Sequence, residues 1–376
     1  MRTLITNGLV YRNESRSFAP MDVLIEDGNI LALVARGSFL DSDVNIIDVG
    51  GKRIVPGLVD VHTHGIGGHD FLFADADALQ RMAEIYRSRG VTCVMPTLAS
   101  APLDVMIEAA RKIKNFENDI FCGVHIEGRY LNPKKRGAHA EELLSAPSAS
   151  ELCEFEKLGL PSLHISAAFE LDADKSFAKT AIEMGATLGL AHTDATYREA
   201  LECESIGVSA YTHLYNAMPP MHHRDGGPIS ACLLGDAYAE LICDGIHISA
   251  EVVALTYSIK RDKLTLISDS MEATCCADGE YSIAGNPVTV KDSIARTRDG
   301  ALAGSTLTLD HAVKNLMSFC NIPIEDAIIC ATEAPAKEIG IFDRCGSIDI
   351  AKRADMLVLA EGDFEIERVF SACDFF

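Results

Sequence analysis

Residues 56–65 read Pro56-Gly57-Leu58-Val59-Asp60-Val61-His62-Thr63-His64-Gly65. A short, mostly apolar run closes on His62-Thr63-His64. In an extended strand residues two apart share a face, so both imidazoles can be aimed at one point. Seven runs of the same kind follow: Val91 to Pro96, Phe121 to His125, Leu163 to Ala168, Thr187 to Ala191, Ser209 to Thr212, Leu241 to Cys243 and Leu264 to Ser268. Amphipathic stretches fill the gaps, among them Ala76 to Arg89, Pro102 to Phe116, Asp174 to Met184, Tyr197 to Ile206 and Ala250 to Lys260. Eight strand–helix units, counting Leu58 to His62 as the first, at intervals of roughly 20 to 40 residues fit an α/β chain folded as a (β/α)8 TIM-type barrel, whose chemistry sits at the carboxyl ends of the strands. A doubly wound sheet shows the same alternation, so what the runs end in carries more weight than their number.

They end in metal ligands. His62 and His64 follow the first run, His125 and Glu127 the third, His192 the fifth, His213 the sixth and Asp269 the eighth. Imidazole and carboxylate suit zinc, iron, manganese or cobalt, and a site with three or four protein ligands keeps a position open for water. One such histidine is ordinarily a satisfied core or surface residue. Five coinciding strand ends are not, because buried ionisable groups need partners.

The rest of the chain narrows the function classes. Among 376 residues, 33 Lys+Arg stand against 55 Asp+Glu, a formal net charge of −22. Nucleic acids and anionic membranes must be met by clustered positive charge, so neither is an expected partner. Hydrophobic residues at 48% and charged residues at 23% are globular usage. No run approaches the roughly 18 apolar residues of a membrane span. Met1 to Ala19 holds Arg2, Arg12, Glu14 and Arg16 and lacks the apolar run of a signal peptide, so a soluble, cytoplasmic chain is expected. The 12 cysteines are scattered without CxxC pairs and read as reduced, small hydrophobes. Short strands separated by Asn-Gly, Asp-Gly and Gly-Gly turns occupy the first 55 residues, and the texture returns in Gly346 to Ile350, Asp355 to Leu359 and Ile366 to Phe370. We therefore expect a small β-sandwich domain built from both termini, residues 1–53 plus 346–376, around a barrel at 54–345.

The opening motif resembles that of the amidohydrolase superfamily. The similarity continues through Val124-His125-Ile126-Glu127-Gly128, Gly137-Ala138-His139, Ala191-His192-Thr193-Asp194, Thr212-His213-Leu214-Tyr215-Asn216-Ala217-Met218, His222-His223-Arg224, Asp244-Gly245-Ile246-His247, Ser268-Asp269 and Leu302-Ala303-Gly304-Ser305. Over essentially its whole length the chain resembles the N-acetylglucosamine-6-phosphate deacetylases.

That resemblance implies a hydrolase of amino-sugar catabolism or recycling that turns N-acetyl-D-glucosamine 6-phosphate into D-glucosamine 6-phosphate and acetate. It makes Glu127, His192 and His213 the ligands of a principal divalent ion and His62 and His64 those of a second. One or two ions per subunit are implied, zinc first, with iron, manganese or cobalt as alternatives. Asp269 becomes the acid/base and His139 a carbonyl partner, while Ala138, Asn216, Ala217, His247, Leu302, Ala303 and Gly304 contact the sugar and Arg224 its phosphate. A homodimer is implied, since some phosphate contacts in the family cross an interface. No lysine stands at a strand end, so a carbamylated-lysine bridge is not suggested. Lys134-Lys135-Arg136 reads as a solvated loop. Arg129, Ala168-Phe169-Glu170, Gly226-Gly227-Pro228 and Cys275-Cys276 depart from the family pattern beside the site. Two alternatives remain: another N-acetylated amino sugar phosphate, such as the galactosamine epimer, or a catalytically silent sugar-phosphate-binding protein.

Overall fold

A computed structural model describes residues 2–39, 43–362 and 364–375. Each of the eight runs forms a strand: β1 (Leu58–Thr63), β2 (Val91–Leu98), β3 (Val124–Glu127), β4 (Leu163–Ala167), β5 (Thr187–Leu190), β6 (Ala210–Tyr211), β7 (Tyr238–Ile242) and β8 (Leu264–Ile267). They pair in parallel in chain order. The ring closes between β8 and β1, where Asp269 N–H donates to the His62 carbonyl at 2.9 Å and His64 N–H to the Ser270 carbonyl at 2.8 Å. The seam of the barrel thus runs through three of the residues expected to carry chemistry. Phe121 stands outside β3, joined to β2 by a bridge to Val94, while β7 starts at Tyr238.

Helices between the strands follow the expected stretches. Ala76–Ser88 buries Ala78, Leu79, Met82, Ala83 and Tyr86, a spacing of three and four that turns one face to the barrel. Its start is fixed by Asp75, whose carboxylate accepts from Ala78 N–H at 2.8 Å. Tyr197–Ser205 begins with a capping box between Thr196 and Glu199.

Strands from both ends of the chain share one seven-stranded sheet: Arg2–Arg12, Ser17–Glu26, Asn29–Ala35, Asn45–Asp48 and Arg53–Pro56 with Met356–Leu359 and Ile366–Phe370. Arg53–Pro56 runs antiparallel to Met356–Leu359 with Val55 opposite Leu357, so this sheet extends three residues past position 53. Period-two alternation sorts the faces. Ile54, Met356 and Val358 join Ile5, Val10, Val23 and Ile25 in the sheet's own core, whereas Val55, Leu357 and Leu359 pack into that of the barrel. Gly57 makes the crossing between sheet and barrel, and a Cβ there would come within 2.1 Å of Thr92 Oγ1.

Two features were not expected from the sequence. A three-stranded antiparallel sheet, Gly279–Ile283, Asn286–Lys291 and Ile294–Thr297, is inserted after β8 and has its own core of Met271, Ile283, Val288, Val290, Ala295 and Ala303. The barrel interior is also polar. His125 lies inside it, one residue pair below Glu127, with Thr97 Oγ1 3.1 Å from Nδ1 and Ser166 Oγ 2.7 Å from Nε2. Burial, with His62 and His164 close by, holds its pKa well below the usual imidazole value. His125 is therefore a satisfied interior residue rather than a member of the rim. All 12 cysteines are free thiols, seven of them buried. Among the described residues no helix is long and apolar enough to cross a membrane.

Candidate active site

Glu127 ends β3, and its two oxygens face two different groups of imidazoles. Oε1 lies 2.8 Å from His213 Nε2 and 3.2 Å from His192 Nε2, which are themselves 3.1 Å apart. Oε2 lies 3.1 Å from His64 Nε2 and 3.5 Å from His62 Nε2. Asp269 places Oδ1 3.3 Å from His64 Nε2 and 3.5 Å from His62 Nε2. All six side chains are buried.

The outer ring nitrogens fix these orientations. His192 Nδ1–H donates to the Lys135 carbonyl at 2.7 Å, and His62 Nδ1 meets Glu240 Oε2 at 3.1 Å. Both arrangements turn the Nε2 lone pair inward, as second partners of metal-ligating histidines do. Lone pairs converging on a carboxylate repel one another unless a cation or protons lie between them. The 3.1 Å between His192 and His213 is near the separation of about 3.4 Å at a tetrahedral ion with bonds of about 2.1 Å. The donor set therefore fits a divalent ion, once through Glu127, His192 and His213 and again through His62, His64 and Glu127.

Holding these groups strains the chain locally. His192 (φ 44°), His213 (φ 34°) and Asp269 (φ 47°) all adopt left-handed backbone, as do Tyr215 and Ala217 beside them. Each such position costs of order 1–3 kcal/mol and persists where the surroundings over-determine it.

Charge is arranged around the same carboxylate. Burial alone would raise Glu127, but His62 and the bonds from His192 and His213 hold it well below the usual carboxylate range. Burial alone would lower His64, yet its bonds to Asp269 and Glu127 raise it to about 9. His62 is raised well above its usual value through Glu127 and Asp269, against the effect of burial. Protons held on this pair below the raised pKa compete with a cation. Between about pH 6 and about pH 9 divalent-ion affinity at His62 and His64 should therefore climb, by about tenfold per pH unit for each proton the ion displaces, with the His64 share levelling off near 9. Calorimetric zinc titrations across that range check this, and a flat profile would contradict it.

A model of the amidohydrolase family matches residues 53–374. The chain belongs to the amidohydrolase family. It is 32% identical over 355 residues to N-acetylglucosamine-6-phosphate deacetylase of Vibrio furnissii, covering 92% of this chain and 88% of that one. It is 30% identical over 329 residues to N-acetylgalactosamine-6-phosphate deacetylase of Escherichia coli O157:H7, covering 85% and 86%. The crystal structure of N-acetylglucosamine-6-phosphate deacetylase from Thermotoga maritima superposes with a TM-score of 0.88 at 32% identity and 98% coverage of both chains.

In this amidohydrolase a cavity of about 270 Å3 opens onto the cluster. Ala138, His139, Asn216, Ala217, His247, Leu302 and Gly304 all line it beside His64, Glu127, His192, His213 and Asp269. Ala303 does not; it is fully buried in the core of the inserted sheet. Arg224 also lies outside, on an exposed turn closed by the pairing of His222 with Asp225, and its Nη1 is 2.7 Å from His223 Nε2. Ile242 and Ile283 add apolar surface to the wall, with Gly137 and Ala301 beside them. A larger cleft of about 650 Å3 beside the seven-stranded sheet contains Arg87 and Arg353, but both are paired with Asp119, and none of the imidazole cluster reaches it.

His139 is set up as a donor. Its Nδ1 accepts from Ser100 N–H at 3.3 Å, so in the neutral ring the proton sits on Nε2, which faces the cavity 3.8 Å from Glu127 Oε2. Burial, with His192 next to it, lowers its pKa to about 3, so the ring is neutral at ordinary pH. His247 Nδ1–H donates to Asp244 Oδ2 at 2.7 Å.

Two departures from the family pattern acquire physical roles. Arg129 (φ 63°) donates its backbone N–H to Ser100 Oγ at 2.9 Å, a bond proline cannot make. Phe169 is buried against Phe177, while Glu170 Oε1 accepts from Asn132 Nδ2 and Asp194 N–H at 3.0 and 2.9 Å, tying two site loops together. Lys134 bonds Asp194 from a largely exposed position, as a loop cation. Glu240 was not anticipated. A glutamate in the middle of the buried strand Tyr-Ala-Glu-Leu-Ile was the signal that marked it.

Proposed function

We propose that the chain is a metal-dependent deacetylase that converts N-acetyl-D-glucosamine 6-phosphate and water to D-glucosamine 6-phosphate and acetate, working as a homodimer in the cytoplasm. The observation that carries this is Asp269, a buried carboxylate 3.3 Å from His64 on the wall of the same cavity as Glu127, His192 and His213. A protein that only bound a sugar phosphate would have no use for a general base there. The names of the relatives support the substrate class.

Glu127, His192 and His213 would hold the principal ion and His62 and His64 a second, with zinc suited to these donors and iron, manganese or cobalt as alternatives. A divalent ion bound there supplies Lewis acidity, polarising the acetamide carbonyl and acidifying water. Asp269 takes the proton of the attacking water and returns it to the departing amine, serving as base and then acid. His139 Nε2–H donates to the carbonyl oxygen as negative charge develops on it. Asn216, Ala217, Ala138, His247 and the Leu302 to Gly304 turn orient the sugar; Ala303 contributes by shaping that turn from beneath.

Among the described residues lining the cavity there is no lysine or arginine, so the phosphate has to be met from outside it. Arg224 is suited to that task, because a guanidinium offers two parallel bonds to phosphate oxygens. Its position on an exposed turn fits a contact completed across a dimer interface. The galactosamine epimer remains the second reading, favoured by the relative of that specificity at 30% identity.

Acetate release from N-acetylglucosamine 6-phosphate, its galactosamine epimer and unphosphorylated N-acetylglucosamine, with divalent metal added, is the test. Release is expected from the first above the others, and no release from any, with metal bound, refutes a deacetylase. Arg224→Ala should raise KM for the phosphorylated sugar by about ten- to a hundredfold, the loss of a charged hydrogen bond. Equal losses with and without the phosphate would remove Arg224 from that role.

A further inference from the structure

Below the active site three side chains converge at the amino-terminal end of the barrel: His164 on β4, Glu240 on β7 and Glu338 from the helix Glu333–Glu338. All three are at most 2% exposed. Each has one polar atom tied outward. His164 Nδ1 meets Thr187 Oγ1 at 2.8 Å, Glu240 Oε2 meets His62 Nδ1 at 3.1 Å, and Glu338 Oε2 accepts from the Thr265 hydroxyl. Each also has one atom left over. His164 Nε2, Glu240 Oε1 and Glu338 Oε1 make no close hydrogen bond among the described residues and lie within 4.8 Å of one another, and burial with Glu240 alongside holds the Glu338 carboxyl well above the usual carboxylate range.

Leaving a buried polar atom unpaired is unfavourable, and two adjacent carboxylates repel each other as well. Among the described residues no lysine or arginine bonds either carboxylate. What the three free atoms share is a point in space and the chemistry of metal ligands.

We propose that His164, Glu240 and Glu338 form a third, fully enclosed binding site for one divalent transition-metal ion, separate from the ions of the active site. The 3.7 Å between His164 Nε2 and Glu240 Oε1 is close to the separation of about 3.4 Å at a tetrahedral ion with bonds of 2.0–2.2 Å. One neutral imidazole and two carboxylates balance a charge of +2 once the ion displaces the proton that burial and Glu240 hold on Glu338. Thr187, His62 and Thr265 orient the three ligands as outer partners. An ion here cross-links the helix Glu333–Glu338 to β4 and β7, and Glu240 joins it to His62 through one carboxylate. With no exposed ligand the ion is structural, taken up as the chain folds.

The test is an anomalous difference map from crystals of the full chain grown with zinc, with metal content per chain measured by mass spectrometry. A peak about 2.0–2.2 Å from His164 Nε2 is expected, distinct from any peak at Glu127. Glu338→Gln should lose one equivalent of metal and that peak while keeping density at Glu127, His192 and His213. Should that variant fail to fold, His164→Gln serves in its place, and the wild-type map needs no variant. No peak in the barrel floor overturns the proposal, whether a water lies there or Glu338 bonds Glu240 directly through a shared proton. So does an unchanged metal count in the variant. Absence of the floor peak with an occupied rim would leave the deacetylase assignment intact, and the converse pattern would separate them equally.

Discussion

Asp269→Asn should lower kcat by about 10^3- to 10^4-fold, near the upper end of what one general acid–base group contributes, because the same carboxylate serves both proton transfers. The amide is almost isosteric, so the fold should persist. Asp269 Oδ1 contacts His62 and His64, whereas the pair His192 and His213 is held by the other oxygen of Glu127. Metal at the principal position should therefore stay and metal at the second should weaken. KM should change little, since the cavity wall keeps its shape. Turnover kinetics with metal analysis on the same preparation decide the matter, and near-normal kcat would remove Asp269 from its role.

Glu127→Gln should do more damage, because His62, His64, His192 and His213 all converge on the Glu127 carboxylate. Loss of metal from both positions and a fall in activity of about 10^3-fold or more are expected, in keeping with the loss of both ion and Lewis acid. Stability should suffer as well. In the ion-free chain His62 and His64 are raised through Glu127, so the amide leaves buried positive charge less compensated, a change worth about 3–5 kcal/mol when a buried pair loses one partner. Chelation of the wild type isolates the metal effect, since it removes the ion but keeps the carboxylate. A variant that keeps its metal, or that melts with the chelated wild type, would show that Glu127 does not hold the cluster together.

Much of this arrangement was legible in the chain. Apolar runs that end in His62, Glu127, His192, His213 and Asp269 form the strands of the barrel and bring those side chains together at its rim, so one pattern carried both the fold and the candidate site. The inserted sheet was legible only in part. Val288 and Val290 alternate with the exposed Pro287 and Thr289 as strand residues do, but the signal spans a few residues and is diluted by glycine, asparagine and aspartate. His125 misled for a physical reason: two residues from Glu127 on one strand, it shares the inward face yet sits a layer deeper, where Thr97 and Ser166 satisfy it. Glu240 and Glu338 come from distant segments, and their meeting with His164 depends on packing that no local period encodes. Arg224 shows another limit: the resemblance sets it at the phosphate, yet it stands on an exposed turn outside the cavity, a placement that no local pattern encodes.

The sheet assembled from both ends has a consequence for biosynthesis. Arg53–Pro56 pairs on one side with Arg2–Arg12 and on the other with Met356–Leu359. At about 5–20 residues per second a ribosome needs about 15–60 s to travel from the one partner to the other. For that interval the nascent chain carries an open strand edge, with apolar Ile54 and Val55 beside it, next to the first strand of an unclosed barrel. Unpaired edges template wrong partners, so Arg53–Pro56 stays open to mispairing until Met356–Leu359 is made.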